Sequence, residues 1–182
     1  MKIFELKCKA YLKTNIELKN SFDVLSKYLN YSIYQNEIYK NKDTSIKNYC
    51  FGNFYPTEND KIYKQNNIYE FVIRSIDEEF ITELEKALIL NMNNSFLIVL
   101  SAIKKEIDQF FIKELYSATP VIVSERKDDN GRQLYWSMDY NGDIEILQNQ
   151  LQKNLEKKLK LFYPDDRDIM DNFIDKIEIK NQ

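Results

Sequence analysis

From Ile3 to Leu12 the residues Phe4, Leu6, Cys8, Ala10 and Leu12 alternate with Lys, Glu and Tyr, the two-residue period of a strand buried on one side. Asn20 or Ser21 can cap a helix running to about Tyr34, in which Phe22, Leu25, Tyr28, Leu29 and Ile33 fall near helical spacing. Lys40 to Ile46 then reads as loop. Tyr49 to Tyr55 and Ile68 to Arg74 return to strand-like alternation, with Pro56 and the polar run TEND between them. Asp77 stands where a helix N-cap belongs, ahead of the apolar stripe Phe80, Ile81, Leu84, Ala87 and Leu88; Asn91 to Asn94 end that helix. Phe96 to Ile103 predicts a fourth strand, and Phe110 to Leu115 a further one beside it. The order βαββαβ is the ferredoxin-like pattern of the α+β class, with two helices on one face of a four-stranded antiparallel sheet.

After Thr119 and Pro120 a second pass begins: a strand at Val121 to Glu125, a turn at Asp128 to Gly131, a strand at Leu134 to Met138, and a helix from about Asp143 to Leu161. Pro164 and the acids Asp165, Asp166 and Asp168 interrupt the chain, and Phe173, Ile174, Ile177 and Ile179 predict a short final helix or strand. The expected organisation is a ferredoxin-like domain over residues 1–117 and an incomplete second ferredoxin-like unit over 118–182. A half-built unit exposes strand edges and an apolar face, so either a partner completes it by strand addition or its pieces pack onto the first unit.

Composition narrows the chemistry. Hydrophobic residues make up 43% of the chain and charged ones 30%, enough for folded cores with solvated surfaces. Abundant Lys, Asn, Ile and Tyr with only 3 Gly match AT-rich codon usage, which lowers the weight of any single lysine. A net charge of -3 and a pI near 5.2 argue against strong nonspecific RNA affinity while leaving room for a local basic face. Cys8 and Cys50 each fall in an expected strand and read as two buried, reduced thiols. With no histidine in the chain, zinc and haem sites cannot be assembled from its side chains, and no cofactor is expected. No run of about 20 apolar residues occurs and the start lacks a signal-peptide core, so no membrane association and a cytoplasmic location are expected.

Four segments carry a resemblance: KNYCFGNFYP at Lys47 to Pro56, KIYKQNNIYEFVIRS at Lys61 to Ser75, ATPVIV at Ala118 to Val123 and NLEKKL at Asn154 to Leu159. In order and spacing they resemble the CRISPR-associated endoribonucleases that process repeat RNA, a family of the RAMP superfamily built from two ferredoxin-like units. The resemblance is to a truncated relative without histidine. It implies a catalytic histidine just after the first helix, close to Glu37 to Lys42, and a glycine-rich loop near the C-terminus that grips RNA; both are missing here. The family's metal-free cleavage deprotonates a ribose 2′-hydroxyl, a task suited to a group titrating near neutrality. Tyr39 or Tyr34, with an ordinary pKa near 10, would be a poor base. Lys40 and Lys42 could steady phosphorane charge or be plain loop lysines. Tyr39 and Lys42 are the weak catalytic candidates.

For RNA contact the candidates are Lys40, Lys47, Arg74, Arg126, Lys127, Arg132 and a helix face bearing Lys153, Lys157 and Lys158. An ion pair of Arg74 with Asp77 or Glu78 is its bland explanation, and Glu156 interleaves the helix lysines. Tyr49, Phe51, Tyr69 and Phe71 alternate and read as core, with base stacking on an open sheet as the alternative. The functional expectation is a nuclease-inactive relative that binds CRISPR effector subunits or guide RNA and inhibits interference by competing with the host processing subunit, as an anti-CRISPR protein. The alternative is a metal-independent endoribonuclease that processes CRISPR repeat RNA and leaves 2′,3′-cyclic phosphate ends.

Overall fold

In the computed structural model of the protein the described residues are 2–38, 48–108, 114, 123–137, 142–162 and 174–178. The chain divides into two compact units, Met1–Phe111 and Ile112–Gln182.

The first unit contains β1 (Ile3–Leu12), β2 (Ile16–Glu17), α1 (Leu18–Gln35), β3 (Tyr49–Phe51), β4 (Ile62–Tyr63), β5 (Ile68–Ser75), α2 (Glu78–Leu90) and β6 (Leu97–Ile107). Its main sheet has the order β3-β5-β1-β6, antiparallel throughout, which is the expected ferredoxin-like arrangement. Alternation along β1 sends Phe4, Leu6, Cys8, Ala10 and Leu12 into the core, against Leu25, Leu29, Phe80, Leu84 and Leu88 of the two helices. Among the described residues the opposite face of the sheet carries no helix of this unit, and it presents the odd-numbered residues of β1.

Several boundaries differ from the sequence expectation. Helix α1 starts at Leu18 with no side-chain cap; its first amide instead donates to the Lys61 carbonyl at 2.8 Å, and the Ser21 hydroxyl donates back to Leu18 O inside the helix. That arrangement depends on the small β2–β4 ladder, Ile16 opposite Tyr63, which joins residues far apart in sequence. Strand β3 stops at Phe51 because Phe54 turns into the core, leaving Tyr55 bridged singly to Glu70 before Pro56, which has no amide to give. Strand β6 runs on to Ile107, through Lys104, Lys105 and Glu106, because β1 continues beneath it to Ile3. Asp77 caps α2 as expected, its carboxylate accepting from Phe80 N at 2.9 Å, and the five stripe residues of that helix are all buried.

In the second unit β7 (Ser124–Lys127) and β8 (Gln133–Tyr135) form an antiparallel hairpin. Asp128 organises its turn, accepting from the amides of Asn130 and Arg132, while Gly131 takes the left-handed φ of +78° that favours glycine. Helix α3 (Ile144–Phe162) follows, capped by Asp143, which accepts from Glu145 N. Trp136 Nε1 donates to the Asp143 carbonyl, and Gln148 donates to the carbonyl of Ile174. Residues 174–178 form neither the helix nor the strand expected there. The strand expected at Phe110 to Leu115 lies outside the described residues apart from Glu114, as does the loop at Lys40 to Ile46. Among the described residues no helix is long and apolar enough to cross a membrane.

Candidate nucleic-acid interface

The open face of the first sheet is built by cross-strand pairing. Residues directly opposite on antiparallel strands share a face, so the register sets three rows: Glu70–Lys9–Ser101, Val72–Lys7–Ile103 and Arg74–Glu5–Lys105. Arg74 is extended at the row's end with Cys50 opposite it on β3. Its guanidinium grips Glu5, Nη2 to Oε2 at 2.7 Å and Nε to the same oxygen at 2.8 Å. The expected partners Asp77 and Glu78 are not used: Asp77 serves the α2 cap and accepts from Asn48, and Glu78 meets Lys104. Lys7 pairs diagonally with Glu70 at 2.8 Å, a hydrogen bond that holds its ammonium above the usual lysine range. Lys9 and Lys105 are exposed and form no ion pair with any described residue.

The face therefore carries the cations Lys7, Lys9, Arg74 and Lys105 against the carboxylates Glu5 and Glu70. From Asp77 to Leu90 the balance reverses: Asp77, Glu78, Glu79, Glu83 and Glu85 face a single lysine, Lys86. A chain acidic in total thus separates its charge, and a polyanion approaching the sheet meets a positive surplus. Lys7, Lys9 and Lys105 were missed in the sequence; the signal available was their odd-numbered alternation with the core residues of β1 and their place at the end of β6.

The aromatic residues of these strands face the other way. Tyr69 and Phe71 are buried, Tyr49 stacks on Phe80 with centroids 5.1 Å apart, and Phe51 stacks on Phe22 at 4.4 Å. The core reading is the one the structure shows, and these rings are not offered to bases from the sheet surface. Cys50, between Tyr49 and Phe51, consequently points outward; Cys8 alone is the buried thiol, and both are unpaired in disulfide terms. Burial pushes the Cys8 thiol well above its ordinary range, with the Glu85 charge adding to the effect.

The remaining candidates fall elsewhere. Tyr39, Lys40, Lys42 and Lys47 lie outside the described residues, as do the side chains of Arg126 and Lys127. Tyr34 projects from the last turn of α1 and is 79% exposed, in a setting with no described basic partner. Arg132 sits exposed in the β7–β8 turn, and Lys153, Lys157 and Lys158 are exposed on α3. Arg74 belongs to the first unit, and Arg132 and the α3 lysines to the second.

No protein-family model matches the sequence, and no curated protein matches it either. Solved structures do. One described as a CRISPR associated protein Cas6 superposes with a TM-score of 0.65 at 14% identity, covering 91% of this chain and 74% of that one. Another, described as a RAMP protein binding different RNA substrates, gives a TM-score of 0.61 at 17% identity, with 87% and 71% covered. At such identities the likeness is one of backbone architecture, and it agrees with the β3-β5-β1-β6 sheet and its two helices. The chain has the fold of the CRISPR-associated RAMP proteins.

Proposed function

We propose that this protein binds CRISPR RNA without cutting it, and that it inhibits CRISPR interference by competing with the host processing subunit for RNA or effector partners. The observation that carries this reading is a RAMP fold in a chain of 182 residues with no histidine. Among side chains histidine alone titrates near neutrality without perturbation, and metal-free RNA cleavage is best served by such a proton acceptor. The RNA-binding half is supported by the similar RAMP protein that binds different RNA substrates and by the positive surplus of the open sheet face, where Lys7, Lys9, Arg74 and Lys105 would meet phosphates. With the aromatic rings of β3 and β5 turned inward, contact on that face is to the RNA backbone, which positions a strand without reading its bases.

The test mixes the purified chain with labelled cognate repeat RNA in EDTA, then with the effector complex and its processing subunit. Bound but intact RNA, with displacement of that subunit and loss of interference, supports the proposal. Cleavage leaving 2′,3′-cyclic phosphate ends, abolished by Tyr39→Phe or Lys42→Ala, replaces it with the endoribonuclease reading. Failure to bind either RNA or effector ends both.

A further inference from the structure

Helix α3 divides lengthwise by chemistry. Leu147 is buried and Leu151 and Leu159 are half-buried, so the apolar stripe is largely engaged in packing, with Leu155 left 39% exposed. On the solvent side Lys153, Lys157 and Lys160 recur at helical spacing and Lys158 flanks them, all four exposed. At a rise of about 1.5 Å per residue the stripe from Lys153 to Lys160 spans about 10 Å along the helix. The one acid among them, Glu156, accepts a hydrogen bond from Gln152 at 3.1 Å rather than meeting a lysine.

Among the described residues none of these four lysines forms an ion pair, unlike several others on the surface. Lys2, Lys19, Lys27 and Lys86 are each within 3.0 Å of a carboxylate, at Glu106, Glu17, Asp23 and Glu83. Among the described residues no carboxylate lies within ion-pair distance of any of the four α3 lysines. Four unneutralised ammonium groups on one rigid helix repel one another by the same rule that makes like charges three or four residues apart unfavourable. An anion with charges repeating along its length relieves all of those contacts at once.

We infer that the solvent face of α3, through Lys153, Lys157, Lys158 and Lys160, is a docking track for the phosphate backbone of single-stranded RNA. The inference rests on the RNA-binding reading above and deepens it, adding Lys160 and a mode of contact. A basic amphipathic helix also suits an anionic membrane, but that use requires a free apolar face, and here Leu147 is buried and Leu151 and Leu159 are half-buried. RNA is therefore the favoured occupant. Because lysine is a flexible point charge, contact of this kind tolerates any base sequence and weakens steeply with salt.

The experiment compares the full chain, a variant with all four α3 lysines changed to Gln, and a charge-matched control with Lys2, Lys19, Lys27 and Lys86 changed to Gln. Each is titrated with a labelled unstructured RNA from 50 to 200 mM salt, with circular dichroism to confirm retained helix. Single-strand contacts contribute about 0.7 per phosphate to the salt slope, so losing four makes it shallower by up to about 2.8, and the parent's affinity falls up to about 50-fold more than the variant's across that range. The control keeps the parent's slope. If the α3 variant binds as the parent does, the track is refuted while the RNA-binding reading stands. If the parent binds no RNA, that reading fails first. Binding to phosphatidylserine vesicles lost in the α3 variant, with RNA binding unchanged, would make the stripe a membrane surface and overturn the inference.

Discussion

Asp77 ties three elements together, and removing its carboxylate has a calculable cost. One oxygen caps α2 through Phe80 N at 2.9 Å; the other accepts from Asn48 Nδ2 at 2.8 Å just before β3. Beside it the Ser75 hydroxyl, at the end of β5, donates to Asn48 O at 2.7 Å and accepts from the Asp77 amide at 3.0 Å. Losing an N-cap side chain costs about 1 kcal/mol, and losing the bond to Asn48 about 1 kcal/mol more. Asp77→Ala is therefore expected to destabilise the first unit by about 2 kcal/mol. For a unit of this size that corresponds to a fall in Tm of roughly 8 °C, or about 1 M in the urea midpoint. Asp77→Asn keeps an equivalent cap acceptor and should lose less than half as much. Far-UV circular dichroism is the suitable probe, because the single tryptophan, Trp136, lies in the second unit. A double-mutant cycle with Asn48→Ala should return a coupling of about 1 kcal/mol. Unfolding of Asp77→Ala within about 0.5 kcal/mol of the parent, or an Asn variant as damaged as the Ala variant, would show that the Asp77 carboxylate does not tie these elements together.

Other consequences follow from the same geometry. Thiol reagents should modify Cys50 in the native protein and reach Cys8 only after unfolding, since burial raises the Cys8 pKa and shields it; equal labelling rates would contradict this. Burial raises the pKa of Cys8, Tyr28, Tyr63 and Tyr69, so the folded state holds these protons more tightly than the unfolded one. Stability is then intact below the ordinary thiol and phenol values of about 8.5 and 10 and declines as pH rises past them; a urea midpoint unchanged from pH 7 to about 10.5 would rule that out. Glu5→Gln releases Arg74 from its 2.7 Å ion pair, adding one cation for phosphate on the sheet face. RNA affinity should rise about fivefold near 0.1 M salt, from one further contact at about 0.7 in slope; unchanged binding would remove Arg74 from the interface.

Local periodicity carried much of the first unit. The strict two-residue alternation of β1 and the stripe of α2 behind Asp77 are properties of contiguous residues, so the sequence alone assigned their type, their buried side and the βαββαβ order. In the second unit the Asp128–Gly131 turn and the helix after Asp143 were legible for the same reason, a turn and a cap being written within a few residues. Pairing at long range was not. The start of α1 depends on Lys61, the length of β6 on how far β1 extends beneath it, and the outward turn of Cys50 on the rings beside it packing against Phe22 and Phe80. The sheet surface shows the difference most directly. The sequence could mark Arg74 as a cation at a strand end, but its nearby acids Asp77 and Glu78 were the wrong partners, because Glu5, 69 residues away, lies opposite it in the ladder. Alternation tells which residues of a strand share a side. Which strand lies beside it, and so which charges are neutralised and which stay open to a ligand, is fixed by register, and register exists only once the sheet has assembled.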